Sequence, residues 1–233
     1  MTQDELIKAL VLVGDADYKF VRHYLGVIGF VIPRDGLESR KWCHEQAKEG
    51  NAEAQYVLSL LESMGLFGPE DRVSALSWLN SAVAQDHLPA LLRLAAFHES
   101  GWGGLQPNTQ RALVFIRQAI ERGYAPAMTA LGVMYETGQN VPMDLAKARS
   151  LYERAARLGD AAAQYFLAHH MLESTDETAV APAVQWLMKS AAQGHSSAHR
   201  KLGYLFFRGA PGIQTDKAKA EFHFKMADRL ETA

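Results

Sequence analysis

The chain has 233 residues, 24 Lys and Arg against 26 Asp and Glu, and one cysteine, Cys43. No dense Lys/Arg run exists to neutralise a row of phosphates, which argues against nucleic acid as a partner, and a lone cysteine excludes an internal disulfide framework and fits a reducing compartment. The apolar runs Ala9–Val13 and Val27–Ile32 fall far below the roughly 20 residues of a membrane span, and the first residues, Met1-Thr-Gln-Asp-Glu, are acidic where a signal peptide is basic. The expectation is a soluble, cytoplasmic, all-α protein.

Residues 3–13 read as a helix that caps a stack of repeats, and Leu25-Gly26 begins a degenerate first repeat that ends at Gly50. From there a phase takes over. Ala54, Ala90, Ala127, Ala163 and Ala198 are each followed four residues later by leucine (Leu58, Leu94, Leu131, Leu167, Leu202) and then by a small residue (Ser59, Ala95, Gly132, Ala168, Gly203). A period of about 36 residues means stacked two-helix units instead of one core around a pocket. The units are 51–87, 88–124, 125–160, 161–195 and 196–233, which with residues 1–50 make one continuous α/α superhelical solenoid of about six repeats.

Within each unit the phased alanine marks helix A. A glycine-bearing loop of variable length comes next (Gly101-Trp-Gly-Gly104, Gly138-Gln-Asn-Val141, Gly209-Ala-Pro-Gly212). Helix B begins at an N-cap, Asp35, Asp71, Asn108, Asp144 or Asp216, whose side chain accepts a free backbone N–H of the first turn. Ala179 breaks this pattern, so the helix B that it precedes is expected to have the weakest start. Seven residues after the cap stands a bulky group (Trp42, Trp78, Phe115, Leu151, Trp186, His223), and small residues come after it (Ala47, Ala82, Ala119, Ala155, Ala191, Ala227). Eight residues after the bulky group comes the left-handed C′ position: Gly50, Asp86, Gly123, Gly159, Gly194 and, in the last unit, Glu231. Pro89 and Pro126 fall in the first turn of the next helix A. The last helix B, 216–231, is charged on its outer side, as suits a terminal repeat.

Residues 127–159 show the assembled pattern: Ala127, Leu131, Gly132, Tyr135, Gly138, Val141, Asp144, Lys147, Ala148, Tyr152, Ala155, Ala156 and Gly159. This resembles the Sel1-like repeat, a relative of the tetratricopeptide repeat, over about residues 39–231. The resemblance implies an α/α solenoid that serves as an adaptor or scaffold for protein complexes. A secreted, cysteine-rich branch of that family, described as binding β-lactam compounds, ties each repeat with a cysteine pair; this chain lacks those cysteines, and that activity is not carried over.

If helix A lines the concave side, the stripe opposite its core face lies two, six and nine residues past each alanine: Tyr56, Leu60, Ser63; Leu92, Ala96, Glu99; Thr129, Val133, Glu136; Tyr165, His169, Leu172; Arg200, Tyr204, Phe207. Nine of these fifteen are apolar or aromatic, which suits either a groove for a protein or peptide, with Tyr56, Tyr165, Tyr204 and Phe207 as anchors, or packing between neighbouring A helices. Trp102 has no core position in the pattern and marks the loop edge as a second candidate surface.

Nine histidines raise a small-molecule or metal-binding alternative on the same face, with His169-His170 and the pair His195/His199 one turn apart. No glutamate between His195 and His199 makes a zincin motif, and no Gly-x-Ser-x-Gly, phosphate loop or dinucleotide fingerprint is present. Cys43 reads as a small buried thiol. The expectation is a non-enzymatic binding protein with no cofactor, no metal, and neither membrane nor nucleic acid among its partners.

Overall fold

Helix A and helix B alternate along the chain because small residues recur where the two must approach and branched or aromatic ones where they must fill space. The computed structural model describes residues 36–65 and 70–232. The expected capping helix 3–13, the Leu25-Gly26 pair and Asp35 lie outside the described residues. The chain divides into two compact units, Met1–Ala119 and Ile120–Ala233.

In the first unit lie α1 (Gly36–Lys48), α2 (Ala52–Ser63), α3 (Arg72–Ala84), α4 (Leu88–Ser100) and most of α5 (Thr109–Glu121). A short 3₁₀ turn, Trp102–Gly104, comes after α4. The core gathers Cys43, Ala47, Leu58, Leu79, Ala82, Ala90 and Leu94. The second unit holds α6 (Ala125–Thr137), α7 (Leu145–Arg157), α8 (Ala161–Glu173), α9 (Val180–Ala192), α10 (Ser196–Arg208) and α11 (Lys217–Thr232). Here α6 packs on α7, α8 on α9 and α10 on α11, with α7 against α8 and α9 against α10 joining successive repeats. Among the described residues the only β-type pairing is the isolated bridge between Ala210 and Ile213.

All five phased alanines are buried, as are the small residues of the B helices, Ala82, Ala119, Ala155, Ala191 and Ala227. The caps hold where the sequence placed them. Asp71, Asn108, Asp144 and Asp216 accept the backbone N–H of Ser74, Arg111, Lys147 and Lys219 at 2.9–3.0 Å. Asp86 takes the left-handed C′ conformation at φ 59°, alongside glycines at the other such turns.

The entry to α9 adds a detail, and two expectations need correction. Ala179 makes no side-chain cap, but the chain enters α9 through a 3₁₀ turn, Glu177–Ala179, whose Thr178 N–H bonds Asp176 Oδ1 at 2.9 Å. The start is supported three residues earlier than the pattern required. Glu231 is not a C′ residue, because α11 continues to Thr232. The bulky position of helix B is also not the deepest one: Trp78, Phe115, Leu151 and Trp186 are half-buried, while Leu79, Ile116, Tyr152 and Leu187, each one residue later, are buried. In the last repeat the order reverses, with His223 inside and Phe224 half-buried.

Gly132 and Gly203, which follow the helix A leucine, answer to the residue one past the bulky position, whichever of the two lies deeper. A Cβ on Gly132 would stand 2.6 Å from Tyr152 Cε1, and one on Gly203 would stand 2.6 Å from Phe224 Cε1. Where the B-helix residue is Leu or Ile, helix A carries Ser59, Ala95 or Ala168 instead. The small residue is sized to its partner.

Candidate functional site

Each helix A of the described repeats starts at a residue three before its phased alanine. Asn51, His87, Asp160 and His195 accept the N–H of Ala54, Ala90, Ala163 and Ala198 through a side-chain atom, at 2.8–3.3 Å. Tyr124 stands at the matching place without a side-chain cap, where Pro126 presets the first turn. Two of the nine histidines are therefore helix caps, bonding through Nδ1. The sequence carries a signal for this, a cap column of Asn, His, Tyr, Asp and His, but histidine is an uncommon cap and its spacing points first to a metal.

Those caps explain the first position of the candidate stripe. Tyr56 lies 4.9 Å, ring to ring, from His87; Tyr165 stacks on His195 at 5.0 Å; Thr129 Oγ1 donates to Asp160 Oδ1 at 2.8 Å. In these three repeats the residue two past the alanine meets the start of the next helix A. The joint removes Tyr56, 0% exposed, from any surface role, and Leu60 and Thr129 are buried as well. Tyr165, half-buried in the joint, is a packing residue before it is an anchor. Burial and the neighbouring Glu173 raise its hydroxyl pKa.

The residue one past the alanine forms a second joint, to which the sequence pattern gives no clue. Gln55 Nε2 donates to the Ala47 carbonyl at 3.0 Å and Gln164 Nε2 to that of Ala156 at 3.2 Å, each adding a second bond to a carbonyl at the end of the preceding helix B that already accepts the N–H of Gly50 or Gly159. Gln55 and Gln164 in turn accept from Gln85 and Gln193 of the next B-helix end. In the last repeat His199 takes this place, with Nε2 3.1 Å from the Ala191 carbonyl and Nδ1 2.9 Å from His223 Nδ1. A carbonyl only accepts, so His199 Nε2 carries the proton, its Nδ1 accepts, and His223 donates from Nδ1. Desolvation lowers the pKa of both rings, and the nearness of His199 lowers that of His223 further.

The histidines thus point in separate directions. His195 caps α10 and His199 faces α9 and α11, so the pair one turn apart does not converge. His169 lies 3.5 Å from Glu173, and His170 Nε2 is 3.1 Å from Glu136 Oε1. Glu136 Oε2 also accepts from the buried Tyr152 hydroxyl, whose pKa burial and that carboxylate push well up. Glu136, placed on the stripe as a surface residue, is thereby tied to helix B and to the next helix A. Among the described residues no group of three or more His, Cys, Asp or Glu side chains could hold a metal ion. Cys43 is buried, and burial pushes its thiol up to about 11, far from a reactive thiolate.

At the loop edge Trp102 does not stand free. It stacks on Phe97 at 4.1 Å with Arg72 over its ring, folded back on the first unit's core. Leu92, Glu99, Val133, His169 and Arg200 are half-buried. Arg200 is committed to α11, between Asp228 at 3.4 Å and Glu231 at 2.5 Å. What remains of the stripe as open apolar surface beyond Ala96 is the pair at the end of α10: Tyr204, 48% exposed, and Phe207, 58% exposed.

Comparisons with known proteins place this geometry. The family model described as the Sel1 repeat matches residues 52–87, 88–124, 125–160, 161–195 and 196–227. A chitin synthase regulator of Saccharomyces cerevisiae, SKT5, is 30% identical over 196 residues, covering 78% of this chain and 28% of its own length. Chitin synthase regulatory factor 3 of Schizosaccharomyces pombe is 34% identical over 141 residues, covering 59% of this chain and 15% of its own. The chain therefore spans well under a third of these relatives. Among solved structures, a Sel1 repeat protein of Oxalobacter formigenes shares the fold at a TM-score of 0.75 and 24% identity, covering 92% of this chain and 88% of that one. An immunity protein of Pseudomonas aeruginosa does so at 0.65 and 20%, covering 90% and 80%. With the family model matching most of its length as five tandem copies, the chain belongs to the Sel1 repeat family.

Proposed function

We propose that this chain is a non-catalytic protein-binding module that captures a protein or peptide on the exposed part of its A-helix stripe and serves the assembly or regulation of that partner. The observation that carries this reading is the open aromatic pair Tyr204 and Phe207, on a helix whose other apolar positions, Ala198, Leu202, Leu205 and Phe206, are spent on the core. Large exposed aromatics supply contact area at low entropic cost and dominate interface energetics. The yeast relatives are named as regulators of an enzyme, which fits a module that acts through a partner.

Affinity capture from native lysate, read by mass spectrometry, tests the reading. Wild type is expected to retain a stoichiometric partner that Tyr204→Ala/Phe207→Ala loses while keeping its helical circular dichroism. A chain that captures nothing, or a double variant that captures the same partner, would overturn it.

A further inference from the structure

In the second unit the matching positions of α6 and α8 hold Val133, Glu136, His169 and Leu172, all half-buried, whereas α10 presents Tyr204 and Phe207 to solvent. Charge around this pair is uneven. Lys219 is matched by Asp216 at 3.2 Å, Lys225 by Glu221 at 2.6 Å, and Arg200 by Asp228 and Glu231. Lys201, Arg208 and Lys217 make no ion pair among the described residues. Lys201 and Arg208 stand one turn before and one turn after Tyr204, on the same face of α10, and with it they line a hollow of about 410 Å³. Lys217 borders a second hollow of about 310 Å³ beside Phe207, whose acidic walls, Glu221 and Asp228, already have cationic partners.

The geometry points to an acidic peptide segment as the occupant: an apolar or aromatic side chain seated between Tyr204 and Phe207, flanked by carboxylates that meet Lys201, Arg208 and Lys217. This rests on the protein-binding reading above and names its partner's chemistry. Unmatched cations beside exposed aromatics favour a ligand that is negative and apolar at once, and complementary charge fixes its register. Three cations without a continuing row do not track a phosphate backbone.

A random peptide library of about twelve residues, displayed on phage and selected on the full chain, tests this. Enriched peptides are expected to carry Asp or Glu beside Leu, Phe or Trp. Their affinity is expected to fall roughly tenfold or more in Lys201→Glu/Arg208→Glu and to weaken between about 50 and 500 mM salt. Phe207→Ala, a surface truncation, is expected to lose binding without loss of helicity, and it keeps the test open should the charge reversal misfold. Neutral or basic consensus peptides, no enrichment, or unchanged affinity in both variants would overturn the proposal. So would a dimer in sedimentation that Phe207→Ala converts to monomer, since a second copy would then own the face. A lysate partner that survives Lys201→Glu/Arg208→Glu but not Tyr204→Ala/Phe207→Ala leaves the protein-binding reading standing and sinks the acidic one.

Discussion

Two side chains of adjoining helices set each other's size in this chain. Gly132 exists so that Tyr152 fits: a Cβ there would press on the ring at 2.6 Å. Gly132→Ala is expected to cost about 1–3 kcal/mol in chemical denaturation, as overpacking does, but little when made in a Tyr152→Leu background, the combination that Ala168 and Leu187 already use. Additive losses in the double variant would refute the size-matching rule. Burial likewise sorts the stripe. Tyr56→Ala is expected to cost about 3 kcal/mol or more because it empties a fully buried site, whereas Phe207→Ala should leave the melting temperature close to wild type. Equal effects of the two would contradict the division between joint and surface.

At the scale of the element, the entry to α9 shows how a missing cap is replaced. Ala179 has helical backbone angles, φ −74° and ψ −17°, and so is not poised to cap. Ala179→Asp is therefore expected to leave thermal stability unchanged, while Asp176→Ala lowers it. A rise in melting temperature for Ala179→Asp would restore the simpler reading. The last repeat carries a pH dependence of its own. His199 and His223 both hold pKa values below the ordinary 6.5, so the unfolded chain takes up their protons first as pH falls. Their contribution is complete above about 6.5 and is lost as pH drops through the lowered folded values. Glutamine at 199 would keep a donor for the Ala191 carbonyl and an acceptor for His223, as Gln55 does for Ala47 and Gln85. His199→Gln is expected to flatten the fall in melting temperature between about pH 7 and 5; a parallel fall would show that this pair is not the titrating element.

For the molecule as a whole, most of the helix A stripe goes into construction. Its first position meets the cap of the next repeat in three places, its neighbour bonds to carbonyls of the preceding helix B, and Glu136 and Arg200 serve the B helices. What the stripe leaves open is the end of α10, where exposed aromatics and unmatched cations coincide, and it is there that we propose binding. Among the described residues no helix is long and apolar enough to cross a membrane.

The phase of Ala54, Ala90, Ala127, Ala163 and Ala198 by itself determined the helix pairs, the B-helix caps and the left-handed turns, because these depend on residues near in sequence that must recur in every copy. Which of the stripe's residues face solvent was decided only by tertiary structure. A periodic pattern says that a side chain leaves helix A on a given side, but not whether the next repeat's cap stands there to receive it. Tyr56 and Tyr204 look alike in the sequence; His87 covers one, and nothing among the described residues buries the other as deeply. The histidines divided for the same reason: beside the local cap of His195, the carbonyl bond of His199 and the pairing of His170 with Glu136 require partners 8 and 34 residues away, brought close by the packing of one helix on another.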